Sequence, residues 1–135
     1  MKKAIVIGAT SGIGREIALI LAKENYLVGI TGRRLKLLDE LHQQHHSNFI
    51  LSNFDIKDSC NIADRLENLT QQLGGLDLLI LSSGYGDINT KLHLEIELET
   101  INTNVMGFTA IASWTYNFFK NQPNGHFVAI SSIAG

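Results

Sequence analysis

The sequence predicts an α/β fold in which helices cover both faces of a parallel, doubly wound sheet. Five short runs are nearly continuous in apolar residues rather than alternating, as expected of strands that are covered on both sides. Amphipathic segments separate these runs, and such an alternation of strand and helix requires right-handed crossovers between parallel strands. The chain has 135 residues, enough for one domain with a substantial core.

The order of the elements follows from the same patterns. The predicted strands are Ala4–Ile7, Leu27–Thr31, Phe49–Asn53, Leu76–Leu81 and Phe127–Ile130. The predicted helices cover residues 12–24, 34–44, 58–73 and 95–120. Asp58 and Ser59 are good N-cap residues for the third helix, and Gly74 is expected to end it before the fourth strand.

The composition excludes several functional classes. Charged residues make up 18% of the chain and apolar residues 44%, as in ordinary folded soluble proteins. The formal net charge of −2 gives no field that would attract nucleic acid or an anionic membrane. No stretch approaches the roughly 20 apolar residues of a membrane span. The lone cysteine, Cys60, cannot form an internal disulfide, which favours a cytoplasmic location.

Three histidines lie close together, at His42, His45 and His46, and they could be taken for a metal site. No cysteines or carboxylates with zinc spacing accompany them. We therefore expect a solvated helix end and no metal.

A glycine-rich loop follows the first strand directly and opens the first helix. Gly8 permits the tight turn out of the strand, Gly12 lets the backbone approach a pyrophosphate, and Gly14 lets the helix pack close to the sheet. The amides and the dipole of the helix N-terminus then face the phosphates. The residues that we expect to contact a nucleotide here are Gly8, Thr10, Ser11, Gly12, Ile13 and Gly14.

Ordinary turn chemistry is the alternative interpretation of these glycines. The position of the loop, between a strand and a helix at the start of a βαβ unit, favours a dinucleotide site instead. A P-loop is excluded because no Gly-Lys-Ser/Thr follows the glycines.

The end of the second strand favours NADP(H), with NAD(H) as the alternative. An acid about 20 residues beyond the glycines usually accepts hydrogen bonds from the adenosine ribose of NAD. Here the sequence reads Gly32-Arg33-Arg34, and no acid occurs before Asp39. A guanidinium suits a ribose 2′-phosphate because it forms a charge-assisted fork. Arg33 is preferred to Arg34 because it lies nearer the strand; the alternative is that both arginines are merely solvated.

Five motifs occur along the chain in an order and spacing that cover nearly all of it. They are the glycine motif at 8–14, Asp55-Ile56, Asp77 through Gly84, Asn104 through Gly107, and Gly125 through Ser132 with Ile133-Ala134-Gly135. Together they resemble the short-chain dehydrogenases/reductases. The resemblance implies a Rossmann fold with the strand order 3-2-1-4-5, in which residues 1–135 form the NAD(P)-binding, N-terminal part of a longer domain.

The resemblance also implies which residues contact the nucleotide. Asp55 would contact the adenine amino group, with the Ile56 backbone beside it. Ser82, Ser83 and Gly84 would line the ribose on the nicotinamide side. Two positions depart from the family pattern, since Ile7 replaces a threonine and Leu81-Ser82-Ser83-Gly84 replaces Asn-Asn-Ala-Gly. The bracing of the central strands by side chains must therefore differ.

Two catalytic residues are implied in the same way. Asn104 would help to hold a proton-relay water, and Ser132 would hydrogen-bond the substrate carbonyl or hydroxyl. Ser132 also fits by position, because it follows the fifth strand at the carboxyl edge of the sheet, where parallel sheets bind ligands.

The family's proton donor is a tyrosine in a Tyr-x-x-x-Lys motif on the helix that follows the serine, and the 135 residues end before that point. Tyr116 and Lys120 have the same spacing, but they precede Ser132 and follow Asn104 by several helical turns. We interpret them as helix packing. A sheet that ended on a bare apolar strand would be prone to aggregate, so we expect a longer parent chain.

The long fourth helix is apolar on nearly all sides. One stripe at helical spacing is expected to face the sheet: Ile101, Val105, Phe108, Ala112, Thr115 and Phe119. A helix of this kind is normally buried. We therefore expect the segment from Asn104 to Phe119 to be covered in a homo-oligomer, dimer or tetramer, as the family implies. The alternative is cover by further chain of the same molecule.

The sequence thus predicts an NADP(H)-dependent oxidoreductase that transfers a hydride between nicotinamide and a small-molecule carbonyl or alcohol substrate. Two alternatives stay open, because the tyrosine and lysine are absent from these residues: a non-catalytic dinucleotide-binding module and an inactive fragment of the enzyme.

Overall fold

Five strands form one parallel sheet in the computed structural model, which describes residues 1–84 and 89–132. The strands are β1 (Lys3–Ile7), β2 (Leu27–Gly32), β3 (Phe49–Asn53), β4 (Leu78–Leu81) and β5 (His126–Ala129). Their order across the sheet is β3-β2-β1-β4-β5, and each neighbouring pair is parallel. The predicted fold class and strand order are confirmed.

Helices connect the strands as the alternating pattern predicts. They are α1 (Gly12–Lys23), α2 (Leu35–Gln44), α3 (Ile62–Leu73), α4 (Leu94–Ile101) and α5 (Phe108–Phe119). A 3₁₀ turn at Ser59–Asn61 leads into α3, and a π turn at Asn102–Gly107 joins α4 to α5. Gly74 ends α3 in the left-handed conformation, with φ of 74°, as expected.

Two apolar layers hold the helices on the sheet. On one face, α1 and α2 pack against β1 and β2 through Ala18, Ala22, Leu38 and Leu41. On the other face, α3 and α5 pack through a second cluster whose members include Ile62, Leu66, Leu69 and Ile111. Because both faces are covered, the carboxyl edge of the sheet is the place where loops from several strands meet.

The predicted register of the long fourth helix is wrong in its first half. Ile101, Val105 and Phe108 were expected to face the sheet, and they are 46%, 54% and 40% exposed. Thr115 is buried as predicted, but the other buried positions are Thr103, Gly107 and Ile111, which the predicted stripe did not include. The π turn is the reason, because its wider turn breaks the 3.6-residue period on which the predicted stripe was based.

Among the described residues, no helix combines the length and the hydropathy that a membrane crossing requires. The same residues contain no group of three His, Cys, Asp or Glu side chains that could hold a metal ion. The His45 ring packs edge-on against Phe49.

Candidate functional site

The glycine loop between β1 and α1 is fixed to the end of β2 and open on its outer side. The amides of Gly8 and Ala9 both donate to the Thr31 carbonyl, at 3.2 and 2.9 Å. Gly12 has φ of +60°, and no atom of the described residues lies within 4 Å of the position that a Cβ would take there. Ser11 is the N-cap of α1 but makes no capping hydrogen bond through its side chain. The first amides of α1 therefore keep their capacity to bind an anion.

Arg34 lies beside this loop. Its Nη2 donates to the Thr10 and Ser11 hydroxyl oxygens, both at 2.9 Å. The cluster thus combines one guanidinium with two hydroxyls, groups that bind phosphate oxygens well. We call it the Arg34 cluster, comprising Thr10, Ser11 and Arg34.

Arg33 points to a different part of the site. It lines a cavity of about 80 Å³ together with Ile7, Thr31, Gly32, Phe54, Asp55, Ile56, Ser83, Gly84 and Thr103. This volume is several times the roughly 10–15 Å³ that one water molecule needs. We refer to it as the Arg33 cavity. Arg33 was expected to be nearer the nucleotide than Arg34, and the structure places Arg33 at this cavity and Arg34 on the glycine loop.

The wall of the Arg33 cavity contains a buried hydroxyl without a hydrogen-bond partner among the described residues. This group is the Thr31 side chain, which is only 1% exposed. A buried unpaired polar atom is costly. The cost is borne by the residue at the carboxyl end of β2 that lines this cavity.

Asp55 lies at the rim of the Arg33 cavity in a tight turn. Its Oδ1 accepts from the Lys57 amide at 2.9 Å, and its carbonyl accepts from the Asp58 amide at 3.1 Å. The Lys57 ammonium donates to Glu99 of α4, at 2.5 Å. This hydrogen bond raises the pKa of Lys57 above its ordinary value, and the nearby Asp55 carboxylate acts in the same direction against partial burial. Lys57 therefore stays charged.

A second cleft contains both predicted catalytic residues. Its lining is Ile13, Ile56, Leu81, Ser83, Gly84, Thr103, Asn104, Phe108, Ala129, Ile130, Ser131 and Ser132. We call it the Ser132 cleft. It shares Ile56, Ser83, Gly84 and Thr103 with the Arg33 cavity, so the two form one continuous groove along the carboxyl edge of the sheet. Residues 133–135 of the last sequence motif lie outside the described residues.

Asn104 lies within the π turn, in the middle of its Asn102–Gly107 segment. Turns of this kind occur often at functional sites. The Asn104 Oδ1 lies 3.8 Å from the position that a Cβ on Gly84 would take, so the π turn brings this amide close to the loop after β4.

The alternative Tyr-x-x-x-Lys pair lies away from this groove. Tyr116 is 70% exposed on α5, and the Lys120 ammonium donates to Asn117 at 2.8 Å. Neither residue lines the Ser132 cleft or the Arg33 cavity.

Four residues in and beside the groove were not predicted from the sequence. Thr31 and Thr103 line the groove, and Lys57 and Glu99 form an ion pair beside it. Thr31 could have been predicted, since it has a hydroxyl at the carboxyl end of a predicted buried strand. The ion pair of Lys57 with Glu99 could not, because the two residues are 42 positions apart in sequence.

The sequence matches the family model described as short chain dehydrogenase over residues 2–135. The chain belongs to the short-chain dehydrogenase family. Among its relatives, an uncharacterized oxidoreductase of Myxococcus xanthus is 32% identical over 139 residues, covering 99% of this chain and 55% of the relative. A probable NADP-dependent dehydrogenase of Haemophilus influenzae is 33% identical over 135 residues, covering 98% of this chain and 54% of the relative.

A solved structure, ElxO with NADP bound, matches this chain with a TM-score of 0.87 and 27% identity. The match covers 98% of this chain and 56% of that one. The chain thus spans about half the length of the curated relatives that it matches.

Proposed function

We propose that this chain forms the nucleotide-binding part of an NADP(H)-dependent oxidoreductase that transfers a hydride between nicotinamide and a carbonyl or alcohol substrate. The observation that carries the proposal is the Arg34 cluster beside an open glycine loop. Two relatives support it, since one is named as a probable NADP-dependent dehydrogenase and ElxO was solved with NADP bound.

The residues present fit such a nucleotide. The bare backbone at Gly12 leaves room for a pyrophosphate at the N-terminus of α1. Arg34, Thr10 and Ser11 offer donors for a 2′-phosphate. Asp55, at the Arg33 cavity, offers a carboxylate for the adenine amino group.

The remaining assignments of nucleotide contacts are part of this proposal. The glycine-loop residues Gly8, Ile13 and Gly14 and the groove residues Ile56, Ser82, Ser83 and Gly84 keep the roles expected of them. Arg33 is proposed beside Arg34 as a second contact for the 2′-phosphate. Lining of the groove by Arg33, Ile13, Ile56, Ser83 and Gly84 supports these roles.

The chain contributes orientation and electrostatics to the reaction. The hydride is supplied or accepted by the nicotinamide nucleotide when it is bound. The Ser132 hydroxyl would hydrogen-bond the substrate oxygen and hold it in the Ser132 cleft. Asn104, in the same cleft, would hold a water on the path of the proton. The tyrosine that donates the proton in the family, and the lysine of the same motif, do not follow Ser132 within the 135 residues.

An activity assay on the complete protein tests the proposal. We expect carbonyl compounds to be reduced faster with NADPH than with NADH. We expect alcohols to be oxidised faster with NADP⁺ than with NAD⁺. Tight NADPH binding without turnover of any carbonyl or alcohol would favour the non-catalytic module. Absence of nucleotide binding would contradict both.

Removing the Arg34 guanidinium should weaken NADPH binding selectively. We expect Arg34→Ala to raise the dissociation constant of NADPH about tenfold to hundredfold, since a hydrogen bond to a charged group contributes roughly 1.5–3 kcal/mol. The constant for NADH, which has no 2′-phosphate, should hardly change. Fluorescence titration of the complete protein measures both. Arg65→Ala, on the exposed side of α3, is the control for lost positive charge, and an equal loss in that variant would refute the assignment.

We also propose that the complete protein is cytoplasmic and forms a homo-oligomer through the segment from Asn104 to Phe119. The support is the exposure of Val105 and Met106, at 54% and 50% of their surfaces. Large exposed apolar side chains grouped in this way are typical of contact surfaces. Light scattering that gave a monomer mass would overturn the oligomer, and further chain of the same molecule would then be the cover.

A further inference from the structure

The ion pair between Lys57 and Glu99 joins two parts of the site that are far apart in sequence. Lys57 follows Asp55 in the turn after β3, and Glu99 lies in α4. The two side chains are only 30% and 38% exposed. The pair therefore connects the turn at the Arg33 cavity to the helix that leads into the π turn and Asn104.

The carboxylate of Asp55 is held by Lys57 in two ways. Its Oδ1 accepts from the Lys57 amide at 2.9 Å, and its Oδ2 lies 4.0 Å from the Lys57 ammonium. The amide contact comes from the local turn and survives any substitution at position 57 other than proline. The ammonium contact depends on the lysine side chain alone.

Glu99 determines where that ammonium lies. Lysine has a long, flexible side chain, and a charged partner within hydrogen-bond distance restricts its positions. Arg33 is close enough for its positive charge to act on Lys57 with the opposite sign to those of Asp55 and Glu99.

The helix that carries Glu99 lies at the surface of the domain. None of the eight residues of α4, all within the described part of the chain, is buried. The Ile56 carbonyl packs closely against Gly107 of the π turn, so the backbone of the turn is supported at that point. The ion pair with Glu99 holds the Lys57 ammonium near the Asp55 side chain.

We infer that Lys57, held by Glu99, is a positioning residue that orients the Asp55 carboxylate toward the adenine amino group. The inference rests on the proposed function, since it requires a bound adenine nucleotide. Lys57 acts through Asp55 and has no contact with the reacting atoms. Its loss should therefore alter recognition of the adenine amino group and leave the other parts of the nucleotide unaffected.

Two nucleotides test this directly: NADPH and its hypoxanthine analogue, which lacks the adenine amino group. For the wild-type complete protein we expect tighter binding of NADPH than of the analogue. Lys57→Met should raise the dissociation constant of NADPH about fivefold, the size of effect expected of a partly exposed ion pair. Binding of the analogue should stay nearly constant, so the preference for NADPH should shrink by the same factor.

Three variants complete the experiment. Glu99→Gln should reduce the preference to a similar extent, and the double variant Lys57→Met with Glu99→Gln should reduce it no further, since the two residues act as one pair. Lys57→Arg should restore it, because a guanidinium keeps the charge. Lys23→Met, in the last turn of α1, is the control for losing a lysine.

The outcomes separate the inference from the proposed function. If wild-type protein binds neither nucleotide, the proposed function fails, and the inference fails with it. If NADPH binds and Lys57→Met weakens both nucleotides equally, Lys57 has only a general structural role and the inference alone is overturned. An unchanged preference in Lys57→Met would overturn it as well.

Discussion

Replacing Gly14 with alanine is expected to destabilise the domain by about 3 kcal/mol, near the upper end of what overpacking costs. Gly14 is buried in the first turn of α1. An added Cβ would collide with the Gly8 carbonyl oxygen and would lie only 3.2 Å from the Ser82 Cβ. Because a backbone carbonyl cannot rotate away as a flexible side chain can, α1 would have to move off the sheet. Denaturant unfolding of the complete protein, followed by circular dichroism, measures the change.

Gly12→Ala is the matched control in the same loop. A Cβ at Gly12 meets no atom of the described residues within 4 Å, so only the positive φ of +60° opposes it. That strain costs about 1–2 kcal/mol. The methyl group would occupy the side of the loop proposed for the pyrophosphate, so NADPH binding should weaken about tenfold or more, as for a lost hydrogen bond to a charged group.

The two substitutions therefore differ in which property they change most. Gly14→Ala should act mainly on the free energy of unfolding, and Gly12→Ala mainly on nucleotide affinity. Equal stabilities for Gly14→Ala and the wild type would show that α1 does not need this close approach. A normal NADPH affinity in Gly12→Ala would place the pyrophosphate elsewhere.

The strands could be predicted from sequence because a strand that is buried on both faces has a nearly continuous run of apolar residues. For β1, β2 and β3 the apolar runs match the observed strands to within one residue at each end. The exception is β4, which was predicted from Leu76 and begins at Leu78. Leu76 is buried, at 3% exposure, without being part of the strand. An apolar residue therefore predicted burial here and not strand pairing.

The site could be predicted only where it follows the chain locally. The glycine loop and the residues after β3 and β5 follow strands, and their place at the carboxyl edge comes from the fold class. Contacts between segments distant in sequence could not be predicted in this way. Arg34 donates a hydrogen bond to Thr10, 24 positions away, whereas Arg33 was preferred for the 2′-phosphate because it is nearer the strand.

The π turn shows the same limit within one element. Asn102–Gly107 interrupts the long helix, and the apolar period on either side does not reveal the change of register. The buried positions there are the small residues Thr103 and Gly107, where the helix approaches the Ile56 turn. Close packing favours small side chains at such a point, and a search for large apolar residues passes over them.

Removing the Ser132 hydroxyl is expected to have the largest effect on catalysis of any change within this chain. Ser132 lines the cleft that also contains Asn104, and its proposed task is to hydrogen-bond the substrate oxygen while charge develops on it. Loss of one such donor typically lowers kcat about 10²–10³-fold. We therefore expect kcat for carbonyl reduction to be lower by that factor in the Ser132→Ala variant of the complete protein. The dissociation constant of NADPH should change little, because the hydroxyl acts on the substrate and not on the nucleotide.

The neighbouring residue, Ser131, provides the control for the loss of a serine hydroxyl from this cleft. Ser131 and Ser132 both line the Ser132 cleft, so their exposure and location do not distinguish them. The resemblance assigns the substrate contact to Ser132, the second of the two serines. Ser131→Ala should therefore keep most of the activity that Ser132→Ala loses. If Ser131→Ala has the larger loss of kcat, the assignment of the two serines must be exchanged; equal losses would mean that the cleft needs both hydroxyls for its shape and that neither alone orients the substrate.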